Sequence, residues 1–308
     1  MDLRIAVQPQ VGADYATLLG VAQACERLGF SGFFMADHLM GWRDPADSLP
    51  GPTDVWTTLA GMARETTSIR LGTLMTSANF RHPAMLAIQV AQVDDMSGGR
   101  IDLGLGAGWS ESEHRAHGIP FPARRMDVLE EQLAIVTGMW ATPVGDRFSF
   151  DGEHYTLDGS PALPKPAQSS VPIIVGGTGP RRTPQLAARF AAEYNGSYAT
   201  DDDIPKMLRR REQACVAIGR DPRSLTFSIM ASLAVGTTER DRAARAAASG
   251  KTPEVVRLTG VGGTPAQAVE RLRRLEDAGV QRIYLQFPGF TDVDHLALVA
   301  EEVLPAFA

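Results

Sequence analysis

Short apolar segments with the composition of β-strands alternate with helical segments along the whole chain of 308 residues. LRIAVQ (3–8), GFFMA (32–36) and VPIIVGG (171–177), for example, are each followed by a run with apolar residues at helical spacing. Strands that alternate with helices pair in parallel, and the helices pack outside the sheet. About eight such units predict an α/β fold of the (β/α)8 TIM barrel type, with a doubly wound open sheet as the alternative.

Residues 142–170 interrupt this alternation. The segment TPVGDRFSFDGEHYTLDGSPALPKPAQSS is rich in Pro, Gly and aromatic residues, which predicts an inserted excursion with a hairpin around RFSFDGEHYTL. One strand, near 194–198, has a weak pattern and is inferred only from the units around it. We therefore expect a single barrel domain over 1–308, with the excursion around residues 142–170.

Composition and charge exclude several classes of function. The net charge of −6 argues against nucleic acid as a partner. No apolar run approaches the ~18 residues of a membrane span, and the start, MDLRIAVQPQ, lacks the apolar core of a signal peptide. The two cysteines, Cys25 and Cys215, suit a reducing compartment, so we expect a cytoplasmic protein. No Cys/His cluster has metal-ligand spacing, and we predict no metal site.

Polar residues and glycines gather where the predicted strands end. In a TIM barrel the functional site forms at the carboxyl ends of the strands. The residues concerned are Gln8, Asp37, His38, Thr73, Thr76, Asn79, Gly104, Gly106, Gly108, Trp109, Gly176, Gly177, Thr178, Gly179 and Gln286. Because all of them fall at the same rim, the pattern predicts one shared pocket.

Two glycine-rich segments indicate what this pocket holds. GLGAGW (104–109) fails the dinucleotide fingerprint because Trp109 occupies the last position, and the following SESEHRAHGIPF has a loop-like composition. A tight strand exit explains it, although glycines also let a flat ring approach the backbone. VGGTGPRRT (175–183) exposes backbone N–H groups before a helix, with Arg181 and Arg182 adding positive charge. That combination is typical of an anion site and predicts a phosphate-bearing cofactor.

His38 differs from the other five histidines because Asp37 precedes it and Trp42 follows four residues later. An imidazole titrates near neutral pH, so His38 is a candidate acid or base, with a structural role equally open. His82 precedes a proline at a predicted helix start and is expected to be structural. The remaining histidines are expected in loops or on helix surfaces: His114, His117, His154 and His295.

Five segments together resemble a known family. They are ADHLMGW (36–42), LGTLMTSANFRHPAMLA (71–87), DDMSGGRIDLGLGAGWSESEHRAHGIPF (94–121), VPIIVGGTGPRRT (171–183) and GGTPAQAVERL (262–272). The chain resembles the luciferase-like monooxygenase superfamily and, within it, the oxidoreductases that use the deazaflavin coenzyme F420. The family fold is a (β/α)8 barrel with an inserted region, in agreement with the pattern of elements.

The resemblance implies roles for the residues that end the second strand. His38 would act as acid or base beside the reactive carbon of the coenzyme, Asp37 would contact the deazaflavin, and Trp42 would wall the substrate side. An Asp-His pair favours coenzyme F420, whereas the flavin-dependent branch more often has Glu-His. An FMN-dependent monooxygenase working with a flavin reductase is therefore the alternative, and a non-catalytic flavin-binding member of the fold is a third possibility.

The resemblance also implies cofactor contacts on three strands. A non-proline cis peptide is expected at or next to Leu74–Met75, bulging toward the back of the ring. The remaining expected contacts are Thr76, then Gly106, Ala107, Trp109 and Ser112 around the fourth strand, and Val175, Gly176, Gly177, Thr178 and Arg181 around the phosphate-bearing tail.

Trp109 departs from the pattern of the sugar-phosphate dehydrogenases in this family, which have a catalytic glutamate at that position. Glu111 or Glu113 could compensate, and Glu111 is the catalytic candidate that we assign. The basic residues that bind a sugar phosphate have no evident counterpart, so we predict a small apolar or aromatic substrate facing Trp42 and Trp109. For the assembly we consider a homodimer.

Overall fold

A computed structural model describes residues 1–41 and 49–307 of the chain. Trp42, which the resemblance places on the substrate side, lies outside these described residues. The strands are β1 (Asp2–Val7), β2 (Gly32–Met35), β3 (Arg70–Thr73), β4 (Thr76–Ser77), β5 (Ile101–Gly106), β6 (Phe148–Asp151), β7 (Thr156–Ser160), β8 (Ile173–Gly176), β9 (Glu193–Ser197), β10 (Thr226–Val235), β11 (Val261–Gly263) and β12 (Arg282–Gln286). The α-helices are α1 (Tyr15–Arg27), α2 (Val55–Glu65), α3 (Pro83–Ser97), α4 (Glu111–Ala116), α5 (Arg125–Ala141), α6 (Arg182–Phe190), α7 (Ile204–Val216), α8 (Glu239–Ala248), α9 (Pro253–Thr259), α10 (Pro265–Asp277) and α11 (Val293–Glu302).

Eight parallel strands form a closed ring in the order β1, β2, β3, β5, β8, β9, β10 and β12, and β12 pairs back onto β1. The short β4 continues after β3 and pairs with β5, while β11 lies beside β10. Closure confirms the predicted TIM barrel and excludes the doubly wound open sheet. None of the helices in the described part of the chain has both the length and the apolar character of a membrane span.

The strand with the weak pattern is confirmed as β9, and its side chains explain the weakness. Glu193 forms an ion pair with Arg282, and the Asn195 amide donates a 2.7 Å hydrogen bond to Ser228 Oγ. Both Glu193 and Asn195 are buried. A strand whose polar side chains find partners inside the barrel lacks the apolar run that marks its neighbours.

The predicted excursion is confirmed as the antiparallel hairpin of β6 and β7, which packs on the outside of α5. The Glu131 carboxylate of α5 accepts hydrogen bonds from the backbone N–H groups of Glu153, His154 and Tyr155 in the turn. The hairpin is therefore attached to the outer helix layer rather than to the barrel interior.

Charged and aromatic side chains fill the barrel interior below the carboxyl ends of the strands. Arg4 Nη1 donates a 2.6 Å hydrogen bond to Asp102 Oδ2, and both residues are buried. The Arg4 guanidinium lies 5.2 Å from the ring centre of Phe34, whose ring meets that of Tyr284 edge to face at 4.9 Å. Because these side chains fill the interior, a cavity can open only at the carboxyl ends of the strands.

Candidate active site

A cavity of about 1270 Å³ opens at the carboxyl ends of the barrel strands. Its volume exceeds the roughly 300–1000 Å³ of an ordinary ligand pocket, so it can hold a cofactor and a substrate together. Most of the predicted site residues line it: Asp37, His38, Leu74, Met75, Thr76, Gly106, Ala107, Trp109, Gly176, Gly177 and Thr178.

Four predicted residues do not line this cavity. Glu111 and Ser112 are exposed on α4, and Arg181 is exposed just before α6. Val175 is fully buried in the outer core between sheet and helices, because successive residues of a strand face opposite sides and Ile174 takes the inward position. The structure therefore contradicts the placement of Glu111, Ser112, Val175 and Arg181 at the cavity wall.

Glu113, rather than Glu111, lies against His38. The His38 imidazole Nδ1 is 3.0 Å from Glu113 Oε2 and 3.2 Å from Oε1. The same carboxylate accepts hydrogen bonds from the backbone N–H groups of Leu39 and Met40, the latter at 3.3 Å. Burial alone would raise the pKa of Glu113, but the hydrogen bonds from His38 and the two backbone groups lower it. A buried carboxylate thus holds the imidazole and the residues that follow it.

Glu113 reaches His38 because residues 111–116 form a short helix where the sequence predicted a loop. The Ser110 side chain caps this helix by accepting a hydrogen bond from the backbone N–H of Glu113 at 3.4 Å. Ser110 and Glu113 have the spacing of a capping box, a signal that was available in the sequence. Glu111 and Glu113 are two residues apart, about half a helical turn, so they point to opposite faces of the helix, one exposed and one buried.

Asp37 is buried in an ion pair with Arg81, a residue that sequence reasoning did not select. Arg81 Nη1 lies 2.5 Å from Asp37 Oδ2, and Arg81 Nη2 lies 2.5 Å from Asp54 Oδ2. Burial raises the pKa of Asp37, while the guanidinium of Arg81 opposes that rise. The pair fixes Asp37 between the end of β2 and the start of α2.

The peptide bond between Leu74 and Met75 is cis, as the resemblance implied. The Met75 side chain lies over two glycines of the neighbouring strands. A Cβ atom at Gly106 would lie 3.6 Å from Met75 Cβ, and one at Gly176 would collide with the end of the Met75 side chain. The contact at Gly106 would be an ordinary van der Waals contact, so it is Gly176 that makes room for Met75, which forms part of the cavity wall.

Gly177 and the start of α6 form a second part of the wall. Gly177 has a φ of +136°, a conformation that side-chain-bearing residues rarely adopt, and its backbone N–H donates to the carbonyl of Asn195 at 3.1 Å. Arg182, predicted to add charge here, instead pairs with Asp127 and Glu130 of α5 at 2.6 and 2.8 Å. That pairing brings the start of α6 to α5.

Arg125, the first residue of α5, is the cation that lines the cavity on this side. Its guanidinium lies 4.1 Å from the ring centre of Phe121, and Nη1 donates to the Pro122 carbonyl at 3.3 Å. The buried Nε atom has no hydrogen-bond partner in the described part of the chain. Arg125 therefore has unused donor capacity, which a bound anion could satisfy.

Two of the remaining histidines were placed wrongly by the sequence. His82 caps α3 as expected, with Nδ1 accepting from the Ala84 N–H at 3.3 Å. His114, however, is buried in the cavity wall between Phe80 and Phe121. His295 is also buried, where it accepts a hydrogen bond from the Val235 N–H, and burial lowers its pKa to about 3.

The lowered pKa of Glu113 gives a pH-dependent prediction. A carboxylate whose pKa is lower in the folded protein adds stability above its ordinary value of about 4.5 and loses it as the pH falls through the folded value. We expect Glu113→Gln to reduce the free energy of unfolding at pH 7 by about 1–3 kcal/mol. The difference from wild type should shrink as the pH falls below 4.5, as measured by urea unfolding.

Glu111→Gln is the matched control, since Glu111 is exposed on the same helix. It should change the free energy of unfolding by less than about 0.5 kcal/mol across this range. A Glu113→Gln effect that is independent of pH would contradict the assigned electrostatic role.

Comparison with known proteins identifies the family to which the chain belongs. The sequence profile of the luciferase-like monooxygenase family matches residues 2–251. An uncharacterised protein of Mycobacterium tuberculosis is 32% identical over 179 residues, covering 58% of this chain and 61% of the relative. The match thus spans about three fifths of that relative's length. An F420-dependent glucose-6-phosphate dehydrogenase of Nakamurella multipartita is 30% identical over 323 residues, covering 94% of this chain and 91% of the relative.

A solved structure gives the corresponding likeness in three dimensions. An F420-dependent secondary alcohol dehydrogenase in complex with an F420–acetone adduct superposes with a TM-score of 0.85 at 18% identity. The superposition covers 100% of this chain and 99% of the other, and at this identity it shows the shared fold. Because the family profile covers most of the sequence and the barrel closes as in solved relatives, the chain belongs to the luciferase-like monooxygenase family.

Proposed function

We propose that the protein is an F420-dependent oxidoreductase that transfers a hydride between the deazaflavin and a small apolar or aromatic organic substrate. The observation that carries the proposal is the pair of residues at the end of β2. Asp37 is buried there, and His38 lines the cavity with its imidazole hydrogen-bonded to Glu113. The name of the Nakamurella relative supports the same coenzyme. When bound, the deazaflavin supplies a carbon that accepts or releases a hydride.

The cavity wall offers groups that suit such a coenzyme. Arg125 Nε, which has no hydrogen-bond partner among the described residues, lies at the start of α5, and Gly177 lies in the loop that leads into α6. A cation beside a helix start suits the phosphate-bearing tail. The cis-linked Leu74 and Met75 would support the ring, and Asp37 would contact it with its carboxylate held by Arg81.

His38 is the residue that we propose to handle the proton. Oxidation of an alcohol removes a hydride from carbon and a proton from oxygen, and reduction of a carbonyl requires both. If Nδ1 of the neutral His38 imidazole carries the proton and donates it in a hydrogen bond to Glu113, the lone pair that can accept a proton is on Nε2. The proton would then be exchanged at Nε2, with Glu113 as the positioning residue that fixes the ring. Glu113 replaces Glu111 in the proposed site.

Apolar groups on the rest of the wall support an apolar or aromatic substrate. The Trp109 ring meets the His38 ring edge to face at 5.7 Å and is 65% exposed, so it can cover a bound molecule. Further apolar lining residues are Val11, Phe80, Met230, Phe287 and Phe290. A role for Trp42 on the substrate side stays a prediction, as does assembly as a homodimer.

We predict that the protein binds coenzyme F420 more tightly than FMN, because Asp37 occupies the position where the flavin branch more often has glutamate. Fluorescence titration of the purified protein with each cofactor measures both dissociation constants. Tight FMN binding without any response to F420 would contradict the proposal and favour the FMN-dependent monooxygenase.

Two arginine variants test whether Arg125 binds the phosphate-bearing tail of the coenzyme. Arg125→Met should weaken F420 binding by about tenfold or more, because a hydrogen bond to a charged group contributes about 1.5–3 kcal/mol. Arg181→Met is the matched control, since Arg181 is exposed and does not line the cavity. Equal losses in both variants would remove Arg125 from the site.

His38→Ala should lower turnover by about 10²–10⁴-fold, the usual contribution of a positioned acid or base. Turnover is followed by the loss or gain of deazaflavin absorbance with a panel of small alcohols and carbonyl compounds. Affinity for F420, titrated in parallel, should change much less than the rate. A variant that keeps its rate at saturating F420 but loses affinity would make His38 a binding residue instead.

A further inference from the structure

The wall formed by β9, β10 and β12 contains a connected group of polar side chains, which we call the Lys251 cluster: Tyr198, Ser232, Lys251 and Gln286. The Tyr198 hydroxyl donates to Gln286 Oε1 at 2.6 Å, and Ser232 Oγ donates to the same oxygen at 3.2 Å. Lys251 Nζ donates to Ser232 Oγ at 2.7 Å and lies 4.7 Å from the ring centre of Tyr198. Tyr198, Lys251 and Gln286 line the cavity.

No carboxylate oxygen lies within 4.0 Å of Lys251 Nζ in the part of the chain that the structure describes. The carboxylates that line the cavity among the described residues have other partners, Asp37 with Arg81 and Glu113 with His38. Partial burial lowers the pKa of Lys251, which is the direction expected for an ammonium group that lacks a counter-charge. An anion that binds beside such an ammonium group is favoured because it supplies the missing counter-charge.

The backbone at Tyr198 supports a functional interpretation of the cluster. Tyr198 has a φ of +52°, in the left-handed region that residues other than glycine seldom adopt. Its N–H donates to the Met230 carbonyl at 2.9 Å, so the conformation is held by β10. Such conformations concentrate at functional sites, where they aim a side chain. Here the ring is aimed at the Lys251 ammonium.

We propose that the Lys251 cluster binds an anionic group of the substrate. This inference rests on the proposed function and narrows its substrate class to apolar or aromatic molecules that carry one carboxylate or a comparable oxyanion. The ammonium of Lys251 would pair with the anion, and the Tyr198 ring and the apolar wall with Phe287 would pack against the body of the substrate.

The location of the cluster separates it from the proposed tail site. Lys251 contacts Ser232 of β10, whereas Arg125 begins α5 on the other side of β8 and β9 in the ring order. Arg125 and Lys251 are thus two separate cations of the cavity wall, neither with a carboxylate partner among the described residues. We assign Arg125 to the anionic tail of the cofactor and Lys251 to the substrate.

Equilibrium binding of benzoate tests this assignment without requiring turnover. Benzoate carries the predicted chemistry, and benzamide is its neutral counterpart of nearly the same shape. Isothermal titration of the protein, with and without saturating F420, should show benzoate binding that Lys251→Met weakens by about tenfold or more. Lys251→Arg, which keeps the charge, should retain most of the affinity, and benzamide affinity should be the same in wild type and Lys251→Met.

Lys206→Met is the control variant, because Lys206 lies on α7 and its exposed side chain faces Asp203. It should leave benzoate binding unchanged. Benzoate affinity that is equal in wild type and Lys251→Met, or no benzoate binding by wild type, would overturn the proposal. Loss of F420 affinity in Lys251→Met without any change for benzoate would also overturn it and give the ammonium to the cofactor. Benzoate binding that depends on Lys251 in a protein that ignores F420 would keep the anion site and reject the proposed function.

Discussion

The contact between Glu113 and His38 links the two parts of the chain on which the candidate site depends. Glu113 is carried by the short helix after β5, and His38 by the turn after β2, 75 residues earlier. The same carboxylate also accepts backbone hydrogen bonds from Leu39 and Met40, so one buried charge positions both the imidazole and the start of the following loop. Burying a carboxylate is costly unless it is hydrogen-bonded, and these donors offset that cost.

The balance of charge around the cavity follows from the same rule. Of its carboxylates, Asp37 forms an ion pair with Arg81, whereas the carboxylate of Glu113 keeps its charge and is stabilised by its hydrogen-bond donors. Its cations, Arg125 and Lys251, have no carboxylate partner among the residues that the structure describes. Among the described residues of the cavity wall, the carboxylates are thus held by partners within the protein, while Arg125 and Lys251 keep donors available for an anion.

The sequence predicted features that depend on strand order and missed those that depend on which way a side chain points. Strand ends are marked by composition, so the rim position of His38 and the glycine segments could be predicted. The choice between Glu111 and Glu113 depends on the short helix α4, capped by Ser110, which turns the two side chains to opposite faces. Lys251 follows α8 in a segment without a motif, and only the closed barrel brings it to the cavity.

The central claim is that this cavity holds coenzyme F420 with its reacting edge at His38. A crystal structure of the protein with bound F420 tests it most directly. We expect the deazaflavin ring to be supported by Leu74 and Met75. His38 should lie beside the reacting carbon, with its imidazole hydrogen-bonded to Glu113. A ring bound away from His38, or an imidazole that has left Glu113 and turned out of the cavity, would contradict it.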